Sequence, residues 1–469
     1  MKAVRSHDMQ PAPLRERRLN KSPDDITEVP LMFRIVAVMF VAAFATSAQA
    51  QPKDWSGQRI MVRQPGVKIG HTDGKGNQIY VAELTGMAYT VIADKEGWVK
   101  VAHRDVEGWF DKAQALLVED AVKFWKNRVA QSPRDANALA FYGWALRENA
   151  ETKESIKIYD QVIAIAPTPD WLNNRGLIHL EMKSYDKAIA DFTAAIQKAP
   201  KFLVPYENRA SIYAERKEWD KAIADFSEMI KLDAKYTDAY RKRAQAYVAK
   251  GQFDKALPDL DIAVEREPKH LPTRIYRGSV RLDSGKYQQA IEDLTAALEI
   301  QANEPNALIQ RAHAYEGMKK YKEAITDLDE AIRLQPKTAA PRASRGFIRF
   351  LTKDYEGAVS DFQAAMKIDA QDATALNGYA WLLATSPDEK YRDGKKAVEL
   401  AKQACDITKY KESGCIDTYA AAQAEAGNFD EAVRLQTQAI ELANFEGDEL
   451  AEARRRLDNY KKKMPHRQQ

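Results

Sequence analysis

The sequence predicts a mainly α fold, a solenoid of stacked antiparallel helix pairs, preceded by a small all-β unit. Three observations predict it. Arg175, Arg209, Arg243, Arg277, Arg311 and Arg345 recur at a step of 34 residues, and each is followed sixteen residues later by an aspartate: Asp191, Asp225, Asp259, Asp293, Asp327 and Asp361. Within one such interval Tyr185, Ala188, Ile189, Phe192, Ala195 and Ile196 form a single apolar stripe at helical spacing. Residues 55–118 have another texture, short runs rich in Val, Ile, Tyr and Trp separated by Gly, Asp and Lys, as short strands require.

Composition limits what such a chain does. At 469 residues, 45% of them apolar and 30% charged, it exceeds what one hydrophobic core holds, so several domains or a repeat array are expected. Lys and Arg number 71 against 68 Asp and Glu, a net charge of +3. That balance supplies no global field for nucleic acid or an anionic membrane surface, so a protein or peptide partner is expected and nucleic acid is not.

Taken in chain order, residues 1–50 are expected to be a leader and signal peptide. "MFRIVAVMFVAAFATSAQA", residues 32–50, joins a positive Arg34 to an uncharged apolar run and ends on Ala48 and Ala50, the pattern of a secretory signal cleaved before Gln51. The apolar run is too short to span a bilayer. Asp24, Asp25 and Glu28 upstream are foreign to a signal leader, which favours Met32 as the true start. The mature chain is thus expected to be periplasmic or secreted, with no membrane span after cleavage.

Residues 51–118 carry "RIMVR", "QIYVAEL", "YTVIADKEGWVKVAH" and "VEGWFD". The "GWVKV" and "GWF" segments resemble bacterial Src-homology-3-like (SH3-like) domains, small barrels attached to exported proteins. The resemblance implies a ligand groove at Tyr80, Tyr89, Trp98 and Trp109; the residues themselves read as core and cross-strand packing aromatics. "GHTDGKGNQ" lacks phosphate-loop spacing and reads as a hairpin connection.

Residues 119–135 read as a bridging helix, with Ala121, Trp125 and Pro133 aligned to the second helix of a repeat. The repeats then occupy residues 136–443. A small residue marks each of nine units: Gly143, Gly176, Ala210, Ala244, Gly278, Ala312, Gly346, Ala380 and Ala420. Twelve residues after the middle markers comes another alanine, Ala188 to Ala358, and four later Phe or Leu, with Pro200, Pro268 and Pro336 closing three units. A 34-residue period with this order of residues resembles the tetratricopeptide repeat, a pair of antiparallel helices. Residues 444–469 follow as a capping helix, "DELAEARRRLDNY", and a frayed tail, "KKKMPHRQQ".

The hairpin explains the charges. With its turn near Lys183, Arg175 stands eight residues before it and Asp191 eight after, at the same height on facing helices. Units one, eight and nine have Tyr142, Tyr379 and Tyr419 in place of the arginine and Ile158, Leu400 and Leu435 in place of the aspartate. Charges that appear and vanish together point to an internal ion-pair ladder, not an anion-binding stripe.

For function, the resemblance implies a right-handed solenoid whose first helices line a concave groove. Carried onto this chain, the groove positions include Asn173, Asn174, Asn208, Arg241 and Lys242, then Tyr276, Phe347, Phe350 and Trp381. Asn208 with Arg241 and Lys242 partly resembles a clamp for a peptide's terminal carboxylate. Cys405 and Cys415 are the only cysteines, spaced for a disulfide or for two buried free thiols. The histidines are scattered without ligand spacing, so neither metal nor other cofactor is expected. With no nucleophile elbow, metalloprotease motif or phosphate loop, the expected protein is an exported, non-enzymatic interaction scaffold that holds a protein or peptide in its groove. The alternative is a cell-wall adaptor whose β unit binds peptidoglycan while the repeats recruit an envelope enzyme.

Overall fold

A computed structural model describes residues 54–468, except 65–66, 73–77, 85–87, 104–105 and 444–446. The signal segment and most of the "GHTDGKGNQ" connection lie outside these residues. Two compact units divide the described chain at Leu232 and Asp233.

In the first unit, seven antiparallel strands precede the helices: β1 (Arg59–Val62), β2 (Lys68–Thr72), β3 (Gln78–Glu83), β4 (Ala88–Lys95), β5 (Trp98–His103), β6 (Val106–Asp111) and β7 (Ala115–Leu117). Their spatial order is β3-β2-β6-β5-β4-β1-β7. Alternation fixes the buried face: Tyr89 and Val91, Val99 and Val101, and Phe110 point inward, each flanked by more exposed neighbours. Seven helices follow: α1 (Val118–Gln131), α2 (Ala136–Glu148), α3 (Thr152–Ile165), α4 (Pro169–Glu181), α5 (Tyr185–Lys198), α6 (Leu203–Glu215) and α7 (Trp219–Leu232). The strands and helices share one apolar core. Trp125 of α1 stacks on Phe141 of α2 with ring centroids 4.6 Å apart, inside the cluster that holds Ile60, Phe110 and Leu116. Arg59 of β1 also meets Glu148 of α2 at 2.7 Å.

The second unit is helical: α8 (Thr237–Ala249), α9 (Phe253–Arg266), α10 (Leu271–Asp283), α11 (Tyr287–Ile300), α12 (Pro305–Gly317), α13 (Tyr321–Leu334), α14 (Ala340–Leu351), α15 (Tyr355–Ile368), α16 (Ala373–Thr385), α17 (Gly394–Thr408), α18 (Ser413–Glu425), α19 (Phe429–Leu442) and α20 (Gly447–Lys461). In both units consecutive helices pair as hairpins, from α2 with α3 to α18 with α19, and neighbouring hairpins pack within each unit.

Two local devices repeat. The hairpin turn runs through one left-handed residue, Lys183 at φ 55° and Lys217 at φ 60°, with Gly251 and Gly285 at the same place further on. After Lys183 the Ser184 N–H donates to the His179 carbonyl at 2.8 Å, closing the first helix with a six-to-one bond. The second device is the small marker residue. A Cβ on Gly176 would stand 2.6 Å from the Phe192 ring, and the alanine markers Ala210, Ala244 and Ala312 are completely buried. The two helices approach closely there, and the Phe or Leu of the second helix fills the space the marker leaves.

Candidate peptide-binding surface

Each arginine of the six reaches from the first helix of a hairpin to its aspartate on the second through two parallel hydrogen bonds. In the first unit Arg175 donates from Nε and Nη2 to Asp191 at 2.9 and 2.6 Å, and Arg209 to Asp225 at 2.9 and 2.7 Å. In the second, the Nη2 bonds from Arg243, Arg277, Arg311 and Arg345 to Asp259, Asp293, Asp327 and Asp361 are 2.7, 2.5, 2.7 and 2.6 Å. The aspartates are buried, Asp293 to 2% exposure. Their hydrogen bonds raise the guanidinium pKa of Arg175, Arg209, Arg243, Arg311 and Arg345 further above its ordinary value. Burial in turn lifts the Asp225 carboxyl against the pull of Arg209.

The third nitrogen binds backward to the preceding hairpin. Nη1 of Arg175, Arg209, Arg277, Arg311 and Arg345 donates to Asp160, Thr193, Asp261, Thr295 and Asp329 at 2.7, 2.8, 2.8, 3.0 and 2.5 Å. One guanidinium therefore fastens its own hairpin and staples it to the one before. Sequence reasoning missed these acceptors, although the signal was present: Thr193, Asp261, Thr295 and Asp329 each lie two residues beyond a ladder aspartate. Arg281 and Arg349 add further bonds to Asp293 and Asp361 at 2.9 and 2.8 Å. Where the pair is absent, Ile158, Leu400 and Leu435 are buried in apolar clusters instead.

Many of the expected groove residues prove to be engaged. Asn208 Nδ2 donates to Asn173 Oδ1 at 3.0 Å, joining α6 to α4, and both side chains are buried. Arg241 pairs with Asp238 and, at 2.9 Å, with Glu267. Two of the donors expected to clamp a carboxylate, Asn208 and Arg241, are thus already occupied within their own units. Asn174, Lys242, Tyr276 and Phe347 are half-buried. Phe350 and Trp381 are not groove residues: they are 3% and 6% exposed and belong to the core around α16 and α18. Part of the cover of Trp381 is the segment expected to fray. His466 is buried with its ring centroid 5.8 Å from that of Trp381.

In the sheet, Tyr89 is buried, 4% exposed, with its hydroxyl 3.4 Å from His103 Nδ1, so it is a core residue and not a groove residue. Trp109 pairs across the strands with Gly70 on one side and Lys100 on the other, and Gly70 pairs with Tyr80. Residues paired in this way share a face, so Tyr80, Trp109 and Trp98 line the outer face of the sheet, Tyr80 and Trp98 exposed and Trp109 partly so.

Cys405 and Cys415 are buried free thiols, which replaces the disulfide reading. They sit in the apolar core of α17 and α18. Burial pushes Cys405 up to about 12 and Cys415 up to about 11, which disfavours the thiolate that exchange needs. An open cavity of about 290 Å³ between α3, α4 and α5 is lined by Asp160, Arg175, His179, Lys187 and Asp191. Among the described residues no group of three or more His, Cys, Asp or Glu is placed to hold a metal ion, and no helix is long and apolar enough to cross a membrane.

The architecture defines a repeat protein built of helical hairpins, joined to an antiparallel β sheet. Tetratricopeptide-repeat models match residues 169–202, 241–305 and 281–345, and the chain carries tetratricopeptide repeats. No curated protein matches the sequence. Solved structures are similar in part. YrrB, described as a TPR protein with an unusual peptide-binding site, is 19% identical, with 38% of this chain and 92% of that one covered and a TM-score of 0.35. Yeast Tom70 is 15% identical over 70% of this chain and 95% of that one, with a TM-score of 0.38. MamA from Desulfovibrio magneticus RS-1 is 20% identical over 36% and 97%, with a TM-score of 0.35.

Proposed function

We propose that the chain is a non-enzymatic scaffold for protein–protein interaction, holding a peptide or a protein surface against the first helices of its hairpins. The observation that carries this reading is the division of labour on those helices. Their arginines are consumed by the hairpin ladder, and their small markers by close packing. In the second unit Lys242, Tyr276 and Phe347 on the same helices stay partly exposed. Aromatic and long polar side chains held on a rigid frame suit an extended partner, because little side-chain freedom is lost on binding.

Export belongs to the same proposal and rests on the signal pattern of residues 32–50. A photo-crosslinking residue placed at Tyr276 in intact cells is expected to trap a partner, whereas one at the exposed Glu292 of a second helix is not. Equal trapping at both sites, or none at Tyr276, would count against the groove. Mass spectrometry of the recovered protein is expected to find Gln51 at its N-terminus; an uncleaved leader would remove the export claim.

A further inference from the structure

The residues after α20 do not trail into solvent. Lys463 turns in the left-handed region at φ 55°, and the N–H of Met464 closes the helix on the Asn459 carbonyl at 2.9 Å. Residues 461–464 are exposed, and the chain then crosses back to α16. There the Gln468 N–H donates to the Thr385 carbonyl at 2.9 Å, using a carbonyl that the end of α16 leaves without a helical partner. Arg467 Nη1 meets Glu425 of α18 at 2.6 Å. Glu425 is held from its other oxygen by Arg392 Nε at 3.1 Å, and its side chain is 12% exposed. His466 lies between these contacts, against Trp381. Next to Thr385, Ser386 keeps a buried hydroxyl with no partner.

These contacts have the form of peptide recognition: a main-chain bond to a free carbonyl, a wall for a flat ring, and a fixed carboxylate for a guanidinium. We propose that α16 and α18 form a binding site for an extended basic segment with a histidine followed by an arginine, and that the chain's own residues 464–468 occupy it reversibly as an internal latch. Reversibility follows from the anchoring. Apart from His466 the segment buries little apolar surface, its ion pair is partly open to water, and the exposed Lys462 and Lys463 link it to a helix that stays packed on α19 without it. This site is distinct from the partly exposed surface offered to a partner and stands whether or not that surface binds one.

The test uses the full chain. In the variant His466→Ala with Arg467→Ala the latch is emptied, and a labelled peptide of residues 462–469 is expected to bind this variant at least tenfold more tightly than it binds the unaltered protein. Adding Glu425→Gln, or changing the peptide's Arg467 to Ala, is expected to remove that gain. Absence of binding to the emptied variant, or binding indifferent to Glu425 and Arg467, would overturn the proposal. Hydrogen exchange on the otherwise unaltered chain supplies an independent reading: the Gln468 amide, bonded to the Thr385 carbonyl, is expected to be protected, and to lose protection in Glu425→Gln. Exchange at the unprotected rate in the unaltered protein would overturn the latch as well.

Discussion

Asp293 shows what a single ladder residue carries. It is 2% exposed and accepts hydrogen bonds from Arg277 and Arg281. Asp293→Ala is expected to cost about 3 kcal/mol, because two guanidinium groups lose their buried partner and keep only the half-exposed Asp261, and the loss is to be read as a lower urea midpoint at unchanged slope. The left-handed turn residues are a second case. Lys217 holds φ 60° where Gly251 and Gly285 serve the same turn in later repeats. Lys217→Gly should raise stability by about 1 kcal/mol, since glycine adopts this conformation without the Cβ clash. An unchanged or lowered midpoint would refute the idea that these lysines sit under strain. Both residue types were legible in the sequence because the period repeats them. The backward acceptors, such as Thr193 and Asp261, carried the same period but were masked by their variety, alternately hydroxyl and carboxylate.

At the scale of elements, the hairpins were legible because local forces specify them: an apolar stripe, a turn, and a small residue opposite a large one. Elements placed by distant contacts were not. Trp381 and Phe350 occupy the helical positions expected to face a ligand, yet both are buried in the core around α16 and α18, and nothing periodic announces that His466, far along the chain, packs against Trp381. The latch has a predictable pH response. Burial pushes the His466 imidazole down to about 4, helped by Arg456 and Arg455 and opposed by Glu452 of α20 and Asp417 of α18; Arg467 beside it pairs with Glu425. The folded pKa lies below the unfolded value of about 6.5, so the contribution is complete above that value and declines as the pH falls towards 4. Hydrogen exchange of the Gln468 amide is therefore expected to be flat between pH 7 and 8, after correction for the intrinsic rate. Its protection should fall below pH 6, and constant protection down to pH 4 would contradict the assignment.

At the scale of the molecule, the change of texture near residue 118 reads as a domain boundary, but the first unit has one core that crosses it. Trp125, 6% exposed, packs between the sheet and α2. Trp125→Ala is expected to cost about 3 to 5 kcal/mol and to loosen the strands and α2 together, visible as simultaneous loss of hydrogen-exchange protection in both; loss confined to the helix would mean separate domains. Sequence texture marked where strands give way to helices, and it could not show that an aromatic of the bridging helix completes the strands' core. Across the whole chain the recurring charges serve the frame and not a ligand. A double-mutant cycle on Arg311→Met and Asp327→Leu, followed by urea unfolding, tests that claim most directly. The account predicts a coupling of about 2 kcal/mol, with the double variant more stable than the Arg311→Met single variant. Additive effects close to zero, with stability untouched by either change, would contradict it.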